Sequence, residues 1–170
     1  SADMLFRPQE FQPEWFAEPG LFHFCSNTLT APDIAAATLA GVQLARTQGW
    51  LISFDINLRH NLWPSGAAGQ YAIWPLIAEA DLLKMSKEEL EYLCAGHSEA
   101  DTIKRLFEGP AQLLLVTDGG NPLRILVRHD QGYAETRLTP PAVRMVDSTG
   151  AGDAFIGGFL YQLASQHIDR

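Results

Sequence analysis

The residues whose types and spacing could do chemistry form one run near the carboxyl end of the chain, Asp147-Ser148-Thr149-Gly150-Ala151-Gly152-Asp153. Gly150 and Gly152 allow the backbone to turn tightly and let a ligand approach it closely. If a helix begins directly after them, its first N–H groups lack carbonyl partners and point together at the positive end of the helix dipole. Such a turn holds an anion, and Asp153 beside it would accept a proton. The pattern favours phosphoryl transfer, although a glycine-rich turn before an ordinary core helix shares the short Gly-x-Gly-Asp spacing.

Polar residues also follow a predicted strand over 50–54, at Asp55, Asn57 and Arg59. In a parallel α/β sheet, ligands bind at the carboxyl ends of the strands. The alternate spacing suggests that the three side chains share one face and line a site. The alternative is that Asp55 and Arg59 form an ion pair that caps the loop.

Two further predicted strands, 81–85 and 112–116, end in residues of interest. Ser86 and Glu89 have the Ser-x-x-Glu spacing of a capping box at the start of a helix. Thr117 and Gly119 follow the second strand, where a hydroxyl and glycines could border a ligand or could form only a tight turn.

The segment 147–155 resembles the second signature of the PfkB (ribokinase-like) carbohydrate kinases, Asp-Thr-Thr-Gly-Ala-Gly-Asp-x-Phe. It departs at one position, where Ser148 replaces Thr and keeps the hydroxyl. The segment 55–64, with its Asp-x-Asn-x-Arg start, resembles the fructokinase-like members of the family. The resemblance covers nearly the whole chain. It implies a ribokinase-like three-layer α/β/α fold with a mostly parallel central sheet, and an ATP-dependent kinase that phosphorylates a sugar, most like a fructokinase.

The resemblance also implies roles for the motif residues in catalysis and nucleotide binding. Asp153 would deprotonate the sugar hydroxyl, and the backbone around it would stabilise the transferring phosphoryl group. The catalytic backbone positions are Gly150, Ala151 and Gly152, and the positions expected to contact ATP are Thr117, Gly119 and Thr149.

The remaining implied roles concern the metal ions and the sugar. Glu89 would organise Mg²⁺ through water, in a position where Ser86 replaces the Asn of the family's Asn-x-x-Glu motif. Asp147 lies in the segment that resembles the family's site for a monovalent cation such as K⁺. The residues expected to contact the sugar are Arg7, Asn57 and Arg59.

Composition sets the broad class of the protein. The chain has 170 residues, of which 46% are hydrophobic, which suffices for a sizeable core. Its net charge of −8 argues against a nucleic-acid partner. Cys25 and Cys94 lie far apart and suggest neither a disulfide framework nor a zinc site, which fits a cytoplasmic protein. The sequence shows no apolar run of membrane-spanning length and no signal peptide, so we expect no membrane partner.

Alternating strand and helix patterns predict the order of the elements. Strands are expected at 21–25, 50–54, 81–85 and 112–116, and a hairpin at 123–127 and 133–137. Helices are expected over 30–48, 70–80, 86–94 and 98–107, and directly after the glycine signature. His23 is interpreted as a core histidine. Gly157 and Gly158 inside the last helix are interpreted as a sign of close backbone packing.

The ends of the chain suggest a fragment of a longer protein. We expect 1–20 to be a segment next to the family's lid, with an edge strand at 4–8, and 21–170 to be an incomplete core domain. The family's amino-terminal glycine motif, much of its lid and its adenine-binding end are not present in the sequence. No Walker A pattern occurs either, so phosphate binding is assigned to 150–153 and to none of Lys84, Lys87 and Lys104.

Three hypotheses therefore stand. The first is an ATP-dependent fructokinase, with fructose and ATP as small-molecule partners and a possible homodimer of the complete protein. The second is another kinase of the family, acting on 2-keto-3-deoxygluconate, ribose or a nucleoside. The third is a non-catalytic remnant that binds a sugar or a nucleotide.

Overall fold

The computed structural model describes residues 2–63, 69–144 and 146–166. Its centre is a sheet of six strands: β1 (Leu21–Cys25), β2 (Leu51–Asp55), β3 (Leu82–Ser86), β4 (Leu113–Thr117), β5 (Leu123–His129) and β6 (Gly132–Leu138). The strands lie side by side in chain order. The first four are parallel, and β5 and β6 continue the sheet as an antiparallel hairpin. The four parallel strands therefore end at one common edge. The sequence predicts that the polar residues that follow these strands lie at this edge.

In the part of the chain that the structure describes, five α-helices cover this sheet: α1 (Pro32–Thr47), α2 (Gln70–Ile77), α3 (Lys87–Cys94), α4 (Glu99–Leu106) and α5 (Ala151–Ser165). The first four connect the parallel strands, as right-handed α/β connections require. The α/β fold class and the element order are confirmed. Within the described residues, no helix combines the length and the apolar character needed to cross a bilayer.

The two faces of the sheet bury different apolar clusters. Leu83 and Leu114 point to the larger cluster, which they share with residues of the first four helices. Their neighbours Leu82 and Leu115 point to the opposite face and pack with Ile156 of α5, because successive side chains of a strand alternate between faces. The architecture is therefore three-layered, with α5 on one side and α1 to α4 on the other.

The α5 side of the sheet also carries polar residues where a core would be apolar. The strand register places His23 beside Ser53, and Asp55 beside Lys84. The Nδ1 atom of His23 lies 3.0 Å from the Ser53 hydroxyl. His23 is exposed, so its interpretation as a core residue is wrong: it faces a cleft rather than the apolar interior.

The first 20 residues do not form the predicted edge strand. They form three short 3₁₀ turns, Ala2–Leu5, Pro8–Glu10 and Pro13–Phe16. Proline fixes φ and has no N–H for a ladder, and Pro8 and Pro13 each begin a turn. Phe11 and Phe16 carry the segment onto Phe22 of β1 through ring contacts at 6.2 and 6.5 Å.

Three local predictions differ from the structure in smaller ways. The cap of α1 is Ala31 rather than Thr30, because the Thr30 hydroxyl donates to the Asn27 carbonyl at 2.8 Å instead. Helix α2 ends at Ile77, three residues before the predicted end. A Cβ atom added to Gly157 or Gly158 would meet no described atom within 4 Å, so these glycines do not mark close packing here.

Candidate active site

The glycine signature turns into α5 as its sequence predicts. Gly150 is the cap residue and has φ of 74°, a left-handed conformation that favours glycine. The Ala151 N–H donates to the Ser148 carbonyl at 3.1 Å, and the Ala154 N–H donates to the Gly150 carbonyl at 2.8 Å. Among the described residues, the N–H groups of Gly152 and Asp153 have no acceptor. These two N–H groups, at the positive end of the α5 dipole, are therefore the donors open to an anion.

The loop before α5 is held by the side chain of Asp147, which belongs to the loop itself. The Thr149 N–H donates to Oδ1 of Asp147 at 2.8 Å. This hydrogen bond lowers the pKa of the exposed Asp147 carboxyl. The contact fixes the turn that presents Gly150.

Asp153 reaches across the site to Asn57, a contact that the sequence analysis did not predict. The Nδ2 atom of Asn57 donates to Oδ1 of Asp153 at 3.3 Å. Asn57 has a positive φ of 37°, which Asn tolerates better than most residues. The Ser26 hydroxyl holds the loop by donating to the Asn57 carbonyl at 3.2 Å.

These two side chains stand on the floor of a cleft of about 650 Å³. Asp55 and His23 also line that cleft. Its apolar walls combine aliphatic side chains with the four aromatic rings of Phe6, Phe11, Phe22 and Phe24. A polar floor beneath apolar walls is a common form of small-molecule site.

Asp55 does not pair with Arg59, the alternative raised by the sequence. Oδ2 of Asp55 instead accepts from Nζ of Lys84 at 2.9 Å, and both side chains are buried. Burial raises the pKa of Asp55 to about 6, against the opposing effect of Lys84. Its second oxygen, Oδ1, is buried and has no described hydrogen-bond partner. Arg59 is exposed and directly precedes the turn His60–Leu62, which its side chain does not cap.

Glu89 forms the predicted capping box and one contact more. The Glu89 N–H donates to Oγ of Ser86 at 3.2 Å, and Oε2 of Glu89 accepts from the Ser86 N–H at 2.7 Å. Its other oxygen accepts from the Leu58 N–H at 2.6 Å. Glu89 therefore ties the loop that carries Asn57 to the start of α3.

A second cleft, of about 560 Å³, lies on the other side of the α5 N-terminus. Thr117 and Gly119 line it, together with Ala151 and Gly152 of the signature. Asp153 and Ile156 of the same helix line the first cleft. The first turn of α5 thus stands between two cavities and presents a different residue to each.

The structure brings some predicted site residues together and leaves others apart. Asn57 and Asp153 are in hydrogen-bond contact. Arg7 does not join them in the described contacts: it forms an ion pair with Asp33 at 2.9 Å. Lys84 is the site residue that the sequence reasoning missed. The available signal was a lysine inside an otherwise apolar predicted strand.

A metal ion would find oxygen ligands here but no complete protein cage. In the described ranges, no three His, Cys, Asp or Glu side chains are placed to hold a metal together. Mg²⁺ in kinases commonly keeps several waters and takes one or two carboxylates plus substrate phosphates. Each Glu89 oxygen has a lone pair beyond the one its N–H contact uses, so Glu89 fits a water-mediated role.

Comparison with known proteins gives a consistent picture. Residues 1–168 match the family described as pfkB family carbohydrate kinase. A probable fructokinase-5 of Arabidopsis thaliana is 36% identical over 164 residues, which are 96% of this chain and 49% of that protein. The chain spans about half the length of the curated relatives it matches.

Two solved structures share the fold and substantial identity. A fructokinase with bound ATP from Xylella fastidiosa has a TM-score of 0.90 and 40% identity, covering 98% of this chain and 51% of that one. A fructokinase from Vibrio cholerae with fructose, ADP and calcium ion has a TM-score of 0.82 and 29% identity, covering 96% and 51%.

Proposed function

This chain belongs to the pfkB family of carbohydrate kinases, and we propose that the protein carrying it transfers the γ-phosphoryl group of ATP to a hydroxyl of fructose. One observation carries the proposal: the first turn of α5 separates two clefts, with Asp153 on one side and Gly152 on the other. A phosphoryl group passing between two substrates needs such a crossing point. The fructokinase names of similar proteins support fructose as the acceptor.

The residues around the crossing point supply the chemistry. The sugar oxygen would attack the γ-phosphorus, forming an O–P bond as the bond to ADP breaks, and its proton would pass to Asp153. Asn57 orients that carboxylate. The free N–H groups of Gly152 and Asp153 would stabilise charge on the transferring group. Phosphoryl transfer depends mainly on positioning and charge stabilisation, which fits this sparse set of groups.

The remaining assignments follow from the two clefts. Thr117 and Gly119 line the second cleft and would contact ATP, with Thr149 in the preceding loop. Arg59, beyond the end of β2, is not among the residues that line either cleft. Its contact with the sugar stays a prediction, as do the contact of Arg7 with the sugar, a homodimer of the complete protein and a cytoplasmic location.

Two ions would assist. Mg²⁺ would be held by the phosphates and, through water, by Glu89, and it would supply charge neutralisation between the β- and γ-phosphates. A monovalent cation, K⁺ being the natural choice, would lie by the Asp147 carboxylate. A double mutant of the Vibrio cholerae fructokinase was solved with fructose, ADP and potassium ion, which supports a monovalent cation of this kind.

The test is ADP release by the full-length protein with Mg-ATP and each of fructose, ribose, 2-keto-3-deoxygluconate and adenosine. We expect release with fructose, and a loss of about 100- to 10,000-fold in kcat for Asp153→Asn. Asp130→Ala, in the exposed turn between β5 and β6, is the matched control and should keep full activity. Release with another acceptor alone would replace fructose with that acceptor. Nucleotide binding without release would indicate a non-catalytic protein.

A further inference from the structure

His23 is a polar residue in the middle of β1, at a position where an apolar side chain would be expected. Its side chain is exposed, and it lines the same cleft as Asp153. The adjacent residues Phe22 and Phe24 point to the opposite face of the sheet, because side chains alternate along a strand. The imidazole ring is therefore a polar group on the α5 side of the sheet, open to the cleft.

The ring of His23 is held by a buried serine. Nδ1 of His23 lies 3.0 Å from Oγ of Ser53, and His23 is the described hydrogen-bond partner of that hydroxyl. Ser53 is fully buried in β2, where an alanine would avoid the cost of burying a hydroxyl group. The parallel register places the two residues side by side. Ser53 is therefore best explained by the orientation that it gives to the imidazole.

The second ring nitrogen is available to a ligand. Among the described residues, no group forms a hydrogen bond with Nε2 of His23. Partial burial lowers the pKa of His23 and the charge of Lys84 lowers it further, against smaller opposing effects of the Ser53 backbone and the Asp153 charge. The ring is then neutral near pH 7, so one nitrogen donates and the other accepts. Nε2 donates if the Ser53 hydroxyl donates to Nδ1, and it accepts in the opposite case.

A sugar hydroxyl is the ligand that suits this nitrogen. A hydroxyl both donates and accepts, so it satisfies Nε2 in either tautomer of the ring. A carboxylate or phosphate only accepts, and a charged side chain binds it more strongly. The charge of Asp153 acts on His23, and both residues line one cleft. A sugar whose reacting hydroxyl lies at Asp153 can therefore present another of its hydroxyls to His23.

We propose that His23 is a specificity-determining residue of the acceptor site: its Nε2 atom binds a sugar hydroxyl other than the one that is phosphorylated, and Ser53 fixes the ring for this contact. The inference rests on the proposed kinase function and deepens it, because it names a group that recognises the sugar and takes no part in the transfer. A neutral contact of this kind favours fructose over an acid such as 2-keto-3-deoxygluconate.

The first test is fructose binding to the full-length protein by isothermal titration calorimetry. We expect His23→Phe to raise the fructose dissociation constant about tenfold and to leave kcat at saturating fructose nearly unchanged, because the contact is equal in ground and transition states. His97→Phe, at an exposed histidine after α3, is the matched control and should change neither value.

The outcomes of this test separate the sugar contact from the kinase function. An unchanged dissociation constant in His23→Phe, with ADP release intact, would refute the contact and keep the kinase. Fructose binding without ADP release, still weakened by His23→Phe, would refute the kinase and keep the contact. The absence of fructose binding by the wild type would overturn both.

A second test separates the sugar contact from the pair with Ser53. In His23→Gln the amide reaches the place of Nε2, whereas the shorter amide of His23→Asn reaches only that of Nδ1. We expect His23→Gln to keep more of the fructose affinity, although His23→Asn can still bond to Ser53. Urea denaturation shows whether each variant keeps the wild-type fold. The opposite order of fructose affinities would mean that the histidine serves only its pair with Ser53.

The third test identifies the hydroxyl with monodeoxy analogues of fructose. One analogue should bind the wild type about tenfold more weakly than fructose does. His23→Phe should bind that analogue and fructose almost equally, since the same hydrogen bond is lost either way. If every analogue loses the same factor in both proteins, His23 contacts none of the hydroxyls and the proposal is wrong.

Discussion

Nδ2 of Asn57 and Oδ1 of Asp153 lie 3.3 Å apart although 96 residues separate them in the chain. Asn57 comes from the loop after β2, and Asp153 from the first turn of α5. Their hydrogen bond joins the sheet edge to the helix that bears the proposed base. The orientation of Asp153 therefore depends on a residue with an unusual backbone conformation.

Replacing Asn57 should separate the effect of its hydrogen bond to Asp153 from the effect of its positive φ. Asn57→Gly keeps the positive φ and removes the amide, whereas Asn57→Ala removes the amide and strains the backbone. We expect both variants to lower kcat/KM for fructose about tenfold, and Asn57→Ala to lose about 1 kcal/mol more of unfolding free energy. Steady-state kinetics and urea denaturation measure the two effects. Wild-type kinetics in Asn57→Gly would show that the hydrogen bond does not orient Asp153.

Glu89 should link the stability of the fold to the proposed Mg²⁺ requirement. Glu89→Gln keeps one oxygen acceptor where two are used, so one of the Leu58 and Ser86 N–H groups loses its partner, at about 1–3 kcal/mol. It should also raise the Mg²⁺ concentration that gives half-maximal activity.

Ser86→Ala is the matched control, because it removes the cap hydroxyl and leaves the carboxylate, at about 1 kcal/mol. Its Mg²⁺ dependence should equal that of the wild type. An equal rise in both variants would assign the effect to the capping box and not to the metal.

Asp55 should give the stability of the protein a particular pH dependence. Its pKa in the fold is raised from 3.8 to about 6, so the folded state binds a proton more readily than the unfolded state. The contribution of this carboxyl is therefore most favourable below about pH 4 and is lost as the pH rises to about 6, a loss of about 3 kcal/mol. Urea denaturation between pH 4 and 7, compared with Asp55→Asn/Lys84→Met, isolates the effect. If the unfolding free energies of the two proteins changed with pH in parallel, this role of Asp55 would be contradicted.

Gly150 should tolerate Asn better than Ala. Its φ of 74° lies in the left-handed region, where an alanine costs about 1–2 kcal/mol and asparagine less. We expect Gly150→Ala to lose that stability and to lower kcat, because the turn presents the free N–H groups. Gly150→Asn should retain most of both. Thermal unfolding and ADP release would measure the difference, and equal losses would show that φ is not the constraint.

Local sequence patterns correctly predicted the structural elements that are determined by residues close together in the chain. The glycine turn into α5, the Ser86–Glu89 capping box and the β5–β6 hairpin all depend on short-range chemistry and were confirmed. The predicted strand at 4–8 was wrong because Pro8 begins a 3₁₀ turn. Contacts that depend on strand register were out of reach: Lys84 meets Asp55 only because β2 and β3 are neighbours in register.

The same limit explains the second contact of Glu89. Its spacing to Ser86 predicted a cap, whereas its bond to the Leu58 N–H joins two segments 31 residues apart. For residues that lie within one short motif, the spacing in the sequence was enough to predict that they share a site. Where a side chain crosses between segments, as Asn57 and Lys84 do, the partner became known from the structure.

The position of β1 at the margin of the sheet has a practical consequence. Within the described residues, β1 pairs with β2 and with no other strand. Its sequence, Leu-Phe-His-Phe-Cys, contains none of the lysines or prolines that natural edge strands use against unwanted pairing. When this chain is produced by itself, its unpaired N–H and C=O groups should template strand addition between copies. Yield on refolding should then fall as protein concentration rises, and His23→Lys should improve it.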